Sequence, residues 1–295
     1  MRILFIGTVD FSYAALSLLL ENKYDVVGLV TKRKSGFNSD FSDLQPLAEK
    51  YGVPVVFREQ NNDDEIETFI ESKHPDVIYC LGWSHLLPSR ILRIPRYGVV
   101  GFHPAALPDN KGRHPIIWAL FLGLKNTAST FFFMDEGADS GDIILQENIV
   151  IDEDDTAATL YEKIQKKGLE QLMVLTEELE VNKGRIPARK QDSDSGNTWR
   201  KRGKCDGRID FRMSTRAILN LVRALTHPYV GAHIDFMESE IKVWKAVREE
   251  CDSINIEPGK ILYVENGEIV VKTYDGAIRI LEHEFDIMPK KGEYL

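Results

Sequence analysis

His103 stands in Gly101–Pro115, GFHPAALPDNKGRHP, and Asp139 stands 36 positions later in Met134–Ile143, MDEGADSGDI. The first stretch is too broken by proline and glycine for a helix and too polar for a buried strand. A histidine paired with a carboxylate is the basic equipment of proton transfer. The acid fixes the tautomer of the ring and stabilises the imidazolium that forms during reaction. Each residue follows a run that reads as a strand, YGVVGFH before His103 and TASTFFFM before Asp139. Strand ends are where an α/β sheet binds its ligands, so His103 with Asp139 is the expected catalytic pair.

The other chemistry-bearing stretches are less specific. In GWSHLLP, Ser84 neighbours His85, but Leu86 stands where GxSxG needs its second glycine, which favours an apolar pocket wall over a serine nucleophile. IGTVDFS, with Thr8, follows the first strand without GxGxxG, and GxxxxGK[ST] is absent, so it reads as a strand-to-helix turn whose amides are available to a ligand. His85, His114 and His227 show no metal-ligand spacing, and Cys80, Cys205 and Cys251 form no CxxC. We therefore expect no metal and no disulfide framework.

The pair needs a frame to position it. RILFIG, DVVGLVT, VPVVF and DVIYCLG are short apolar runs, separated by the helical patterns FSYAALSLLLEN, LQPLAEKY and DDEIETFIESK. With YGVVGFH and TASTFFFM they predict six strands in a doubly wound, mostly parallel α/β domain over residues 1–181. Residues 182–205 are polar and read as a linker crossing the surface. Residues 206–295 begin with an amphipathic helix in RMSTRAILNLVRALTHP, and short alternating strands follow, predicting a smaller all-β, OB-like barrel. Hydrophobic residues make up 43% and charged residues 28%, which fits a folded protein rather than a disordered one. A net charge of -9 argues against broad nucleic-acid binding. The start MRILFIGTVDF lacks the regions of a signal peptide and no apolar run is long enough for a membrane span, so a cytoplasmic protein without a membrane partner is expected.

Together these loops resemble the folate-dependent formyltransferases, whose motif runs Asn-x-His-Pro/x-Ser-Leu-Leu-Pro, then Lys/Arg-Gly-x-x-Pro, then an aspartate in an acidic Asp-x-Gly loop. The matching letters here are Gly101 to Pro108, Lys111 to Pro115, and Asp139. DGRIDF, LNLVRAL, HPYVGAHI and IKVWKA resemble the carboxyl-terminal barrel of the methionyl-tRNA and amino-arabinose members, so the resemblance covers nearly the whole chain. It implies an enzyme in which a primary amine attacks the formyl carbon of 10-formyltetrahydrofolate. His103 would handle the proton, and Asp139 would orient it. The resemblance places the folate between Trp83, His85, Leu86 and Leu87 on one side and Glu136, Gly137 and Ala138 on the other. The family's asparagine, two residues before the histidine, is replaced by Gly101, which has no side-chain donor. Loss of one oxyanion donor costs a few kcal/mol of barrier; Asn110 is the candidate substitute.

Methionyl-tRNA and a nucleotide-linked amino sugar are both family substrates. Residues 206–295 hold 12 Lys and Arg against 16 Asp and Glu, and the loop after the second strand is the brief KRKSGFNSDF. Both count against tRNA as a partner. A compact anionic substrate needs few cations, and Lys32, Arg33, Lys34, Lys111 and Arg113 supply them near the sheet edge, with Thr8 alongside. The expected acceptor is a sugar nucleotide, with tRNA, hydrolysis of the formyl donor, and binding without catalysis as the alternatives. The sequence leaves a homo-oligomer open.

Overall fold

The computed structural model describes residues 1–34, 39–60, 62–192, 195–237, 239–251 and 253–295. The chain divides into two compact units. The first contains Met1–Pro115, Thr127–Ile149 and Glu162–Trp199; the second contains Ile116–Asn126, Val150–Tyr161 and Arg200–Leu295.

In the first unit the order is β1 (Arg2–Ile6), α1 (Asp10–Glu21), β2 (Asp25–Thr31), α2 (Gln45–Tyr51), β3 (Val55–Phe57), α3 (Asp63–Lys73), β4 (Val77–Cys80), α4 (Ser89–Leu92) and β5 (Val99–His103). The chain continues through β6 (Lys111–Gly112), α5 (Pro115–Phe121), β7 (Asn126–Phe133), β8 (Ile143–Val150), α6 (Ala157–Val181) and β9 (Thr198–Trp199). The main sheet has seven strands in the order β3-β2-β1-β4-β5-β7-β8. β1 pairs in parallel with β2 and β4, β4 with β5, and β2 with β3, whereas β7 runs antiparallel to β5. This is the expected doubly wound, mostly parallel sheet, with β8 as an additional edge strand.

The apolar runs form strands because helices cover both faces of a parallel sheet, so consecutive residues all become buried. Ile3, Leu4, Phe5 and Ile6 of β1 and all four residues of β4 are buried. Each such side chain contributes roughly 1.5–3 kcal/mol. α1 buries Phe11, Ala15, Leu16, Leu19 and Leu20, the stripe of an amphipathic helix. α3 places Asp63, Asp64 and Glu65 in its first turn, where carboxylates meet the positive end of the helix dipole. The strand order reverses between β1 and β4, and there the backbone closes tightly. A Cβ on Gly7 would lie 2.5 Å from the Leu81 carbonyl oxygen. The Ser12 hydroxyl donates to that oxygen at 2.6 Å and accepts from the Thr8 and Val9 amides, both at 3.1 Å.

The second unit follows with α7 (Thr215–Leu225), β10 (Ala232–Phe236), β11 (Ser239–Glu249), β12 (Ile261–Glu265), β13 (Glu268–Lys272) and β14 (Ala277–His283). Ser214 caps α7 by accepting from the Ala217 amide, and Ile218, Leu221, Val222 and Leu225 form its buried face. The strands form one five-stranded sheet in the order β10-β11-β14-β13-β12, antiparallel throughout, as expected of a small barrel-type domain. Two segments from earlier in the chain join this unit. The Asn220 amide donates to the Phe121 carbonyl, and the Arg223 guanidinium donates to the carbonyls of Asp152, Glu153 and Asp155. Among the described residues, no helix is long and apolar enough to cross a membrane.

Candidate active site

His103 is the last residue of β5 and is 4% exposed. Its Nε2 lies 2.8 Å from the Asn110 carbonyl oxygen, and its Nδ1 lies 3.6 Å from Asp139 Oδ2. A neutral imidazole donates from one nitrogen only, and the contact to a carbonyl places that proton on Nε2. Nδ1 then carries the lone pair and faces a carboxylate. The ring is thus held between two acceptors.

Asp139 is held by two hydrogen bonds and its loop by a third. The Gly112 amide donates to its Oδ2 at 2.8 Å, and Gln191 Nε2 donates to its carbonyl at 2.9 Å and to that of Gly141 at 2.7 Å. Asp139 has φ 56° and Asn110 has φ 63°, left-handed conformations that side-chain-bearing residues hold only when their surroundings enforce them. For Asn110 the enforcing contact is its amide, which donates to Asn197 Oδ1 at 2.9 Å. Gly112 has φ 97°, and a Cβ there would lie 2.3 Å from the Trp199 carbonyl oxygen, so this close approach of β6 to β9 requires glycine.

The structure brings His103, Asp139 and Asn110 together, Asn110 through its backbone. Gln191 and Asn197 were not foreseen. They lie in the segment read as a linker, and no periodicity or motif marks a side chain that works by bonding backbone groups of another loop. In this segment the Arg189 amide and carbonyl also pair with Ile143, at 2.7 and 2.8 Å.

Gly101 pairs with Phe132 across β5 and β7. A Cβ on Gly101 would lie 2.8 Å from Phe132 Cζ and 2.9 Å from Met134 Cγ. These two side chains take the space in which an asparagine would begin.

Trp83 and Leu87, from the loop after β4, pack with Met134 against the core cluster that includes Leu4, Ile6, Cys80 and Val99. Leu86 is 61% exposed. Glu136, Gly137 and Ala138 are exposed; the Gly137 amide donates to Asp135 Oδ1 at 2.9 Å, and the Ser89 hydroxyl donates to Glu136. Thr8 is fully buried and its hydroxyl has no partner among the described residues.

Lys32 and His85 meet directly, Nζ to Nε2 at 2.9 Å, with Lys32 Nζ 5.3 Å from the centre of the Trp83 ring. Arg113 donates to the Ser84 carbonyl at 3.0 Å, and Lys111 pairs through its backbone with Thr198. Burial, and then the charges of Lys32, Arg58 and Arg113, push the His85 ring below the ordinary histidine value. Burial, and then Arg58, push Lys32 down as well. Residues 35–38 of the loop after β2 lie outside the described residues. Among the described residues, no group of three or more histidine, cysteine or acidic side chains is gathered in a way that would hold a metal ion.

A doubly wound sheet with a histidine at the carboxyl end of β5 and, beside it, an aspartate from the loop after the antiparallel β7, followed by a small antiparallel unit, defines a two-part α/β enzyme with a couple suited to proton transfer. The family described as formyl transferase matches residues 1–176, and the formyl transferase C-terminal domain matches residues 201–290; the chain belongs to this family of formyl-transferring enzymes. The methionyl-tRNA formyltransferase of Caldanaerobacter subterraneus is 35% identical over 303 residues, covering 100% of this chain and 96% of the relative. Among solved structures, the sugar 3N-formyl transferase WlaRD superposes with a TM-score of 0.69 at 18% identity, covering 97% of this chain and 99% of the other. HypX from Aquifex aeolicus in complex with tetrahydrofolic acid gives a TM-score of 0.65 at 20% identity. The chain spans 43% of the length of HypX and is itself covered to 95%.

Proposed function

We propose that the protein transfers a formyl group from 10-formyltetrahydrofolate to the amine of methionyl-tRNA. The observation that carries this reading is the 35% identity with a methionyl-tRNA formyltransferase over the whole of the chain. Charge supports it once the segment joining the two parts of the sequence is included. Residues 182–205 carry eight Lys and Arg (183, 185, 189, 190, 200, 201, 202 and 204) against two Asp, a net of +6. Arg202 is buried and Arg200 and Lys204 pair with Asp206 and Glu240, whereas Lys183, Arg185, Arg189 and Lys190 are exposed, the type of surface that neutralises phosphates. The sugar-nucleotide reading stands second, favoured by the cations around His85 and by the fold likeness to WlaRD.

The apolar wall of Trp83, Leu87 and Met134, together with the exposed loop at Glu136 to Ala138, fits a flat heteroaromatic donor. The donor supplies the formyl carbon. In this reading His103 accepts a proton from the attacking amine at Nδ1, and Asp139 positions the ring and stabilises the imidazolium. Asn110 supports the pair by accepting from Nε2. General acid–base groups of this kind contribute roughly 10²- to 10⁴-fold. Formyl transfer assayed with initiator methionyl-tRNA and, separately, with UDP- and dTDP-amino sugars tests the assignment. Transfer to tRNA is expected, and transfer confined to the sugars would replace the first reading with the second.

A further inference from the structure

Four basic residues from four loops converge beside the candidate active site. Lys32 follows β2, Arg58 follows β3, His85 follows β4 and Arg113 follows β6. Lys32 touches His85 at 2.9 Å, and Arg58 and Arg113 add to the positive field at its ring. Asp63 pairs with Arg58, and Glu59 lies 4.0 Å from the adjacent Arg33. Two basic nitrogens at hydrogen-bond distance are compatible only if one has given up its proton. The Lys32 ammonium therefore donates to a neutral His85, whose own proton sits on Nδ1. Trp83 backs the pair, its ring centre 5.3 Å from Lys32 Nζ and 5.7 Å from the His85 ring.

We propose that Lys32 and His85 form a proton-coupled oxyanion clamp, in which an entering oxyanion accepts from the Lys32 ammonium and His85 takes up a proton to become a second cationic donor. The balance is simple: one proton moves from solvent to the His85 ring as one anion binds, and no covalent bond is made or broken. The physical reason is mutual repulsion. The Lys32 ammonium at 2.9 Å opposes a further positive charge on His85, and an oxyanion bound by the two side chains offsets that repulsion. The sign of the pH dependence follows from this. His85 titrates below its ordinary value when the site is free and higher when it is filled, so binding strengthens as pH falls between the two values and is lost as pH rises above the higher one. The limit is tenfold in affinity per pH unit for one coupled proton. The oxyanion is either a phosphate of the acceptor or a glutamyl carboxylate of the folate, an assignment that rests on the formyl-transfer reading, whereas the clamp itself does not.

The probe is sulfate, which carries no titrating proton in this range. Calorimetric titration of the full chain with sulfate, in buffers of different ionisation enthalpy at pH 6 to 7, reads the number of protons taken up. We expect uptake approaching one proton per sulfate, and its loss in His85→Gln, where sulfate still binds but more weakly. Absence of sulfate binding, binding without proton uptake, or uptake unchanged in His85→Gln would each overturn the proposal. Lys32→Ala then assigns the source. A KM raised for the acceptor alone identifies a phosphate, a KM raised for the donor alone identifies the glutamyl carboxylate, and neither raised refutes the clamp. Because the sulfate titration needs neither donor nor acceptor, its failure is distinct from a failure of formyl transfer.

Discussion

Restoring the family asparagine at Gly101 is expected to harm the protein rather than improve it. A Cβ at this position meets Phe132 Cζ at 2.8 Å and Met134 Cγ at 2.9 Å, where ordinary contacts begin at 3.4 Å. Forcing extra atoms into a packed site costs about 1–3 kcal/mol. Removing the freedom of glycine in the unfolded chain returns about 0.4–1 kcal/mol. Gly101→Ala should therefore destabilise by about 0.5–2 kcal/mol, and Gly101→Asn, with three more heavy atoms in the same space, by at least the upper figure. At roughly 2–4 °C per kcal/mol for a unit of this size, Gly101→Asn should melt about 4–8 °C lower, with no gain in kcat. The reading also predicts a remedy: Gly101→Asn combined with Phe132→Leu should recover stability beyond the sum of the single changes, by roughly 0.5 kcal/mol or more. Thermal unfolding followed by circular dichroism, with formyl transfer assayed alongside, measures both. If Gly101→Asn melts with the parent and turns over faster, the packing argument is refuted.

His103→Ala and Asp139→Asn should each lower kcat by roughly 10²- to 10⁴-fold without shifting the melting temperature by more than a few degrees; near-parent turnover would remove the pair from the mechanism. Gln191→Ala frees the carbonyls of Asp139 and Gly141. It should lower kcat about tenfold or more through misplacement of the carboxylate and lower stability by about 1–3 kcal/mol, both read from one purified variant. Asn197→Ala releases the Asn110 amide and should act in the same direction. In the second unit, hydrogen bonds from Lys204 and then Lys242 hold Glu240 down at about 2. Because the folded value is depressed, the contribution is present above the unfolded value near 4.5 and is lost as pH falls toward 2. Glu240→Gln should flatten the acid limb of a melting-temperature profile in that window.

The parallel part of the fold was legible because β1, β2, β4 and β5 are buried on both faces and so read as unbroken apolar runs. β8 was not, since IILQENIV buries only Ile143 and Ile149 and exposes Gln146, Glu147 and Asn148 at the sheet edge. β6 and β9 are two residues each, too short for any period to show. Membership of Ile116–Asn126 and Val150–Tyr161 in the second unit depends on contacts such as Arg223 with three distant carbonyls, which only the folded chain creates. At the site, His103 was legible from residue type and strand-end position, whereas Asp139 was legible from residue type alone, because β7 runs antiparallel and its end lies at the other edge from that of β5. The contacts that fix them were not, because an amide such as that of Gly112 or a side chain such as Gln191 carries no signature of the backbone group it will meet. The meaning of the glycine at 101 also needed the fold, since only the β5–β7 register sets Phe132 opposite it.

The match to the amino-terminal family ends at residue 176, whereas Asn110 and Asp139 are held by Asn197 and Gln191 and Gly112 abuts Trp199. The catalytic part of this protein is therefore not an exchangeable cassette with its border at the end of that match. Grafted onto a different carboxyl-terminal partner at residue 176, it would arrive with its histidine and aspartate but without the strut that sets their geometry; a functional graft has to carry the chain through Trp199.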